Sequence, residues 1–424
     1  MMKILLISSR ELCYFSGSFF LDCIQRELEK ICEVERVEFS ETNLDALQAC
    51  LDSDDYDAIL DINSKLPYLI LDDNSRFLDH LHAPFYNYIV DHPLYHHPGL
   101  VFPLRDYHAL AIDRKHKEYM ERYYDLQTVD YLPLGGTVAG NVTAPLHQKS
   151  AIESRKTREE RQIPLLFTGT YLDPQMIEAE LQGRGQVNLL SPKSGDAILN
   201  QKYYECSKAL IECWNPEAEP MEDALQNLLA SNEDARVTSL EVTFPEVMNR
   251  LYAVDRYKRN ETRREVLLAV AQAGIECTVI GEGWEKTELS RYPNVTILPG
   301  CPMEEIFDYM ANSRMVLDVN PLFFDGLHDR VSAAMVNGAV CLTNMNPDAA
   351  PRDGNGETPL LFYQASDLDT MILKIREMLS DSSSKEWEAR SLAAVEIASV
   401  QCSWNAVAKH FLEIVKDEKR RKEE

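Results

Sequence analysis

No stretch of this sequence is apolar over a length that would span a bilayer, so a transmembrane helix is not expected. It also lacks any CxxC pair. Its ten cysteines (Cys13, Cys23, Cys32, Cys50, Cys206, Cys213, Cys277, Cys301, Cys341 and Cys402) are scattered without ligand-like spacing to histidine, which argues against a zinc module or a disulfide framework. Several sit in apolar runs and read as buried, reduced thiols, consistent with a cytoplasmic location. Cations are scarce: 43 Lys and Arg face 69 Asp and Glu, a formal net charge of -26 and a pI near 4.8. A phosphate backbone is bound through Lys and Arg that displace counterions, so no nucleic-acid partner is expected, and an anionic membrane surface is disfavoured for the same reason. The basic cluster "KDEKRRKEE" at the C-terminus alternates with Glu and reads as a solvated helix end. Internal repeats and low-complexity tracts are absent as well.

What is present is an ordinary globular composition, 45% hydrophobic and 26% charged, in 424 residues, which suggests two domains. The first third alternates short apolar runs ("KILLIS", "VERVEF", "YDAILDI", "APFYNYIVD", "HALAID", "TVDYLPL") with amphipathic segments at 16–31 and 113–124. Such alternation implies an α/β domain with a doubly wound parallel sheet, ending near Gly135 and Gly136. Residues 137–162 are polar and basic and read as a linker. A second alternation starts at "IPLLFTGTY", is interrupted by an acidic helical stretch at about 197–262, and resumes through "RREVLLAVAQAG", "IECTVIGEGW", "NVTILPGCP", "RMVLDVNP", "DRVSAAMVNG" and "AVCLTN". The last segment, 384–416, places Leu392, Val395, Val400, Trp404, Val407, Phe411 and Ile414 on one helical stripe, expected to bury against the body. The domain expectation is therefore an N-terminal Rossmann-like domain over 1–150, a C-terminal Rossmann-like domain over 151–390 with the insertion at about 197–262, and a closing helix over 391–424. The acidic insertion is a candidate protein-partner surface.

Ligands of open parallel sheets bind beyond the carboxyl ends of the strands. In the second domain the loops at those ends are "FTGTYLDP", "VIGEGWEK", "LPGCPMEE" and "NPLFFDGLHDR", and three of them carry glycine, which lets backbone N–H groups approach a ligand. The last one, with Asp325, His328, Asp329 and Arg330 where the loop becomes a helix, fits a metal site, a phosphate site or a helix cap. A cation in the first turn of a helix opposes the helix dipole, so Arg330 is best explained by an anion nearby, with pairing to Asp325 or Asp329 as the alternative. The basic group "DRYKRNETRR" offers Arg259 and Arg263, one turn apart, as further anion contacts.

In the first domain "DHPLYHHPG" follows a strand. It offers Asp91, His92 and His96, with His97, as candidates for general base or positioning roles; metal ligation from this loop alone is disfavoured. "SSRELCYFSGS", with Arg10 and Gly17, is a second loop of the same edge, a candidate acceptor-side contact. The acidic "DSDD" at Asp52–Asp55 and "LDDN" at Asp72 and Asp73 are chance matches to a metal-binding DxD in so acidic a chain. Sequons at Asn141, Asn260 and Asn294 carry no meaning in a cytoplasmic protein.

The order "GxGW" at Gly281–Trp284, then "NVTILPGCPMEEIFDYMANSRMVLDVNP", then an acidic loop entering a helix that ends "MVNGAVCLTN", resembles the donor half of GT-B glycosyltransferases of the group 1 type. It is nearest to the relatives of the spore-maturation protein CgeB. The resemblance covers 274–344 and, more loosely, 163–171. It implies GT-B architecture, two Rossmann-like domains facing across a cleft, and a nucleotide-diphosphate sugar as co-substrate with no other cofactor and no metal. It implies donor contacts at Gly169, Thr170, Gly281, Gly283, Trp284, Gly300, Cys301, Pro302, Asp325, Gly326, His328, Asp329 and Arg330, the turn at 300–303 lying near the base. In the resembling enzymes a glutamate opens the "EAxxxG" run and holds the donor ribose; here that position is Ala333. A catalytically weakened binding subunit and a nucleotide-sugar epimerase are the competing expectations.

Overall fold

The computed structural model describes all residues except 1, 11, 13–15, 40–43, 53–55, 142–148, 183–196, 232–241, 321 and 424. Cys13, most of the acidic "DSDD" stretch, and parts of the expected linker and insertion thus lie outside the described residues.

The apolar runs of the first third form six parallel strands: β1 (Lys3–Ser8), β2 (Glu33–Glu38), β3 (Ala58–Ile62), β4 (Phe85–Ile89), β5 (Tyr107–Ala111) and β6 (Thr128–Tyr131), in the order β2-β1-β3-β4-β5-β6. Strands β3, β4 and β5 are buried at every position, as expected of inner strands covered by helices on both faces. The second sheet holds β7 (Ile163–Thr168), β8 (Cys277–Ile280), β9 (Val295–Leu298), β10 (Ser313–Asp318), β11 (Val340–Thr343) and β12 (Leu361–Phe362), in the order β12-β11-β10-β7-β8-β9. Every pairing in it is parallel. Each sheet reverses direction once, between β1 and β3 in the first and between β7 and β10 in the second. Loops leaving neighbouring strands there go to opposite faces and open a crevice.

Contacts divide the chain into one unit made of Met1–Gly135 with Cys402–Glu424, and a second made of Gly136–Gln401. Three expectations change. The segment read as a linker is docked in the second unit: Arg161, 1% exposed, donates to the carbonyls of Lys156, Met310, Ser313 and Asn337. Burial lowers its pKa to about 10. A basic residue there satisfies carbonyls at loop and strand ends, a task that composition alone cannot distinguish from solvation.

The closing segment is two helices, Ser384–Gln401 and Trp404–Glu423, and each belongs to a different unit. Ser403 starts the second, its hydroxyl accepting from Ala406 N–H at 3.3 Å. The break moves Leu392 and Val400 off the expected buried stripe, to 39% and 74% exposed, while Val395, Trp404, Val407, Phe411 and Ile414 are buried. The insertion also ends differently. Tyr252–Gln272 is one continuous helix, so the expected boundary near 262 falls inside it. Neither Gly nor Pro interrupts that stretch.

Candidate functional site

Arg330 lies at the reversal point of the second sheet. It belongs to the first turn of the helix Asp329–Val336, is 8% exposed, and reaches back over the ends of β10 and β7. Its Nε is 3.1 Å from Asp318 Oδ1, Nη1 donates to Thr168 O at 2.8 Å, and Nη2 lies 3.4 Å from Val319 O. Asp318 ends β10 and is fully buried; its Oδ2 accepts from Thr343 Oγ1 at 2.9 Å, and its carbonyl from Tyr363 OH at 3.0 Å. The carboxylate in contact with the Arg330 guanidinium is therefore Asp318, a partner outside the expected pair of Asp325 and Asp329. Asp329 is occupied by His328, whose Nδ1 lies 2.5 Å from its Oδ1 and also 3.2 Å from Arg330 N. One ring nitrogen cannot donate and accept at once. The shorter contact, together with Arg330 Nη2 at 3.3 Å from His328 Nε2, assigns the proton to Nδ1, so the ring donates to Asp329. Burial raises the Asp329 carboxyl, but the His328 contact and Arg330 outweigh it and bring its pKa to about 2. The cap of this helix is the His328–Asp329 pair.

Two further guanidiniums converge on the same point from the helix Tyr252–Gln272. Arg263 donates to Thr170 O at 3.1 Å, while its enclosed Nε has no hydrogen-bond partner among the described residues. Arg259, one turn earlier, pairs with the buried Asp255. A Cβ at Gly169 would lie 3.2 Å from Arg330 Nη1 and 3.4 Å from Arg263 Cζ, which places both arginines at this one turn. Burial first, then the charges of Arg330 and Arg259, push the Arg263 pKa well below the usual guanidinium value. Three guanidiniums (Arg259, Arg263, Arg330) gather here with the carboxylates of Asp255, Asp318 and the nearby Asp329, and Arg263 is the guanidinium with no ion-pair contact to a carboxylate among the described residues. The other cations of the same helix point elsewhere, Arg256 to Glu180 at 2.6 Å and Arg264 to Glu288 at 2.5 Å.

The glycine loops frame this cluster from the β8 side. Gly169 (φ +153°) and Gly281 (φ +148°) use backbone that side chains rarely adopt, and a Cβ on Gly281 would sit 2.2 Å from Gly169 O. Trp284, expected at the ligand, is instead fully buried. Its Nε1 donates to Gly169 O at 2.6 Å and its ring packs with Phe167 and Tyr171, so it fixes the loop from below. Gly283 precedes it as the N-cap of a single 3-10 turn. Farther along the edge, Gly300 N–H donates to Glu282 Oε1 at 3.0 Å, and Pro302 starts the helix Met303–Ala311. The Cys301 thiol is raised by burial and by Glu305. Asp325 is half-buried, Gly326 buried, and Ala333 buried at 4% exposure.

A second polar cluster occupies the reversal point of the first sheet. Asp61, 1% exposed on β3, accepts from the Ser9 hydroxyl that follows β1; Ser9 Oγ in turn accepts from Lys65 N at 2.8 Å. Burial raises the Asp61 pKa to about 6 despite hydrogen bonds from Ser64, Ser9 and Ile62. Asn63, a non-glycine residue at φ +46°, donates from Nδ2 to Asp91 Oδ2 at 2.8 Å and accepts from Val90 N at 3.0 Å. Asp91 is exposed, and the buried His96 Nε2 lies 3.9 Å from it with no hydrogen-bond partner among the described residues.

The loop histidines separate. His92 is 3% exposed, caps the 3-10 turn Pro93–His96 through Leu94 N, and stacks edge-on with His116; His97 Nδ1 meets Tyr124 OH at 3.2 Å. His92 is thereby committed to local structure, while Asp91 and His96 are brought together. Arg10 lies against the buried Tyr68 hydroxyl, and Gly17 is buried in the helix Ser16–Leu28.

No protein-family model and no curated protein matches the chain. Solved structures do match along its whole length. An alpha-glucosyltransferase in complex with UDP and a 13-mer DNA containing a central A:G mismatch aligns over 98% of this chain and 99% of that one, with a TM-score of 0.51 and 12% identity. The DNA modifying enzyme beta-glucosyltransferase, in the presence and absence of uridine diphosphoglucose, aligns over 98% and 100% with a TM-score of 0.50 and 11% identity. The fold is GT-B. At such identities the likeness is one of fold, and function rests on the sites.

Within the GT-B frame, the arginine cluster marks the second Rossmann-like unit and the Asp61–Asn63–Asp91–His96 cluster the first. Ser9, Asp61, Asn63 and Asp318 were missed by sequence reasoning. Asp61 and Asp318 each interrupt or close an apolar strand, and a buried carboxylate at a strand's carboxyl end was the available signal.

Proposed function

We propose that the chain is a glycosyltransferase that moves a sugar from a nucleotide-diphosphate sugar to a glycan, protein or small-molecule acceptor. The observation that carries this reading is the gathering of Arg259, Arg263 and Arg330 around the Gly169 turn at the reversal point of the second sheet, with Arg263 held by no carboxylate among the described residues and its Nε unmade. The arginines supply the charge that stabilises a departing nucleoside diphosphate, so the reading needs no metal. Asp91, oriented by Asn63, is the candidate base for the acceptor hydroxyl, with His96 beside it. Uridine diphosphate is the first nucleotide to test, since it is bound by the matching alpha-glucosyltransferase. That neighbour also holds DNA; the net charge of -26 supports a different acceptor here. The CgeB-like subtype and a soluble cytoplasmic setting belong to the same proposal; among the described residues no helix is long and apolar enough to cross a membrane.

Calorimetry with UDP, GDP, dTDP and CDP sugars, combined with a donor-hydrolysis screen, tests the proposal. One family of nucleotide sugars binds, and Arg263→Ala weakens it by about 10- to 100-fold, the loss of one or two charge-assisted hydrogen bonds at about 1.5–3 kcal/mol. Arg263 suits this test better than Arg330, whose loss strands the buried Asp318 and costs about 3–5 kcal/mol of stability. If none of the four nucleotide classes binds, the enzyme reading fails. Ala333, buried where the resembling enzymes hold ribose with a glutamate, favours a second reading, a weakened GT-B protein that serves as a binding subunit. Binding without hydrolysis or transfer in any arm of the screen is its signature.

A further inference from the structure

On the other flank of β10, away from the arginines, the loops after β10, β11 and β12 enclose a cavity of about 340 Å3. This volume lies at the small end of ligand sites, roughly 300–1000 Å3. Phe323, Phe324, Phe362 and Tyr363 line it, with amides from Asn320, Asn344, Asn346 and Gln364. Asn320 is 4% exposed. Its backbone N–H donates to Asn344 Oδ1 at 2.7 Å and joins two of the loops, but its own Oδ1 is buried with no hydrogen-bond partner among the described residues. A buried acceptor left unmade is costly and calls for a donor from a ligand.

The charged lining residues are already engaged. Lys374 Nζ donates to Phe362 O at 2.6 Å, Asp367 Oδ1 accepts from Thr370 N at 3.1 Å, and Glu217 Oε1 accepts from Ala365 N at 2.6 Å. With one cation against two carboxylates in its lining, the cavity disfavours an anionic occupant such as a nucleotide and suits a neutral one. Apolar ring faces and amides arriving from three separate loops match a pyranose, which carries hydroxyls all round its rim and C–H bonds on its faces. A nucleobase, polar along only part of its rim, matches them less well.

We propose that this cavity is a binding site for a neutral saccharide, with Asn320 Oδ1 accepting a sugar hydroxyl. The site needs no nucleotide and none of the arginines, so it stands or falls separately from the donor reading. Its back wall still touches that machinery, because Tyr363 OH donates to the carbonyl of Asp318, the partner of Arg330.

Saturation-transfer NMR on the full chain, with glucose, galactose, mannose and N-acetylglucosamine as probes and uridine and adenosine as counter-probes, tests it. At least one sugar shows saturable binding; Asn320→Leu weakens it tenfold or more, Thr370→Phe blocks the mouth from the surface with the same effect, and Arg263→Ala leaves it unchanged. Thermal unfolding checks that the variants are folded, and Thr370 is exposed, so its replacement does not disturb the core. Absence of saturable sugar binding to the parent chain overturns the proposal. So does sugar binding that survives both cavity variants, or tighter binding of uridine or adenosine that is lost with them.

Discussion

Asp61 is a carboxyl group sealed inside a sheet, and its proton affinity becomes a stability term. Folding raises its pKa from near 3.9 in an unfolded chain to about 6. Between those values the native state holds a proton that the unfolded state has released. Its contribution is therefore complete below about pH 4 and is lost as pH rises through about 6. Two pH units correspond to roughly 2–3 kcal/mol. The difference in unfolding free energy between the parent and Asp61→Asn should change by that order between pH 4 and pH 7, the parent losing stability relative to the variant. A difference that stays flat with pH would show that burial does not govern this group. The sequence displayed Asp61 only as one polar letter in "AILDI", since burial and the Ser9 contact come from a partner 52 residues away. Arg330 was legible as an anion-seeking residue from its place at a helix start. Its partner Asp318 was not, because no local spacing rule joins a strand end to a helix twelve residues later.

At the scale of elements, the turns after β7 and β8 behave as one piece. Gly169 O receives the Trp284 indole and stands where a Cβ on Gly281 would fall. Gly281→Ala must push the two turns apart in a backbone region that disfavours side chains. We expect a loss of about 2–3 kcal/mol in denaturant unfolding and weaker nucleotide binding by whatever remains folded. An unchanged unfolding midpoint would mean that the turns yield freely. The strands themselves were readable, since each inner one is a mainly apolar run followed by a turn. Trp284 was misread as a ligand contact because a large aromatic beside two glycines looks the same in sequence whether it faces the core or the solvent. The break at Ser403 was hidden by the apolar stripe, which continues in helical phase across it.

For the whole molecule, the last helix matters most. Trp404 packs on Phe20 and Phe411 on Tyr86, with ring centroids 5.7 and 5.6 Å apart, and Lys419 and Lys422 reach Asp57 and Asp106. A chain ending at Gln401 strips these contacts from the first sheet only. Hydrogen exchange should then show lost protection in β1 and β3–β5 while β7 and β10 keep theirs. Retained protection in β4 and β5 would show that the helix is dispensable. This arrangement also sets an order of events during synthesis. The first unit joins Met1–Gly135 to the distant Cys402–Glu424, whereas Gly136–Gln401 is uninterrupted. On the ribosome the middle of the chain can therefore settle first. The strands of Met1–Gly135, although made before it, must wait for the helix Trp404–Glu423 to emerge and remain until then a part of the nascent chain in need of a chaperone.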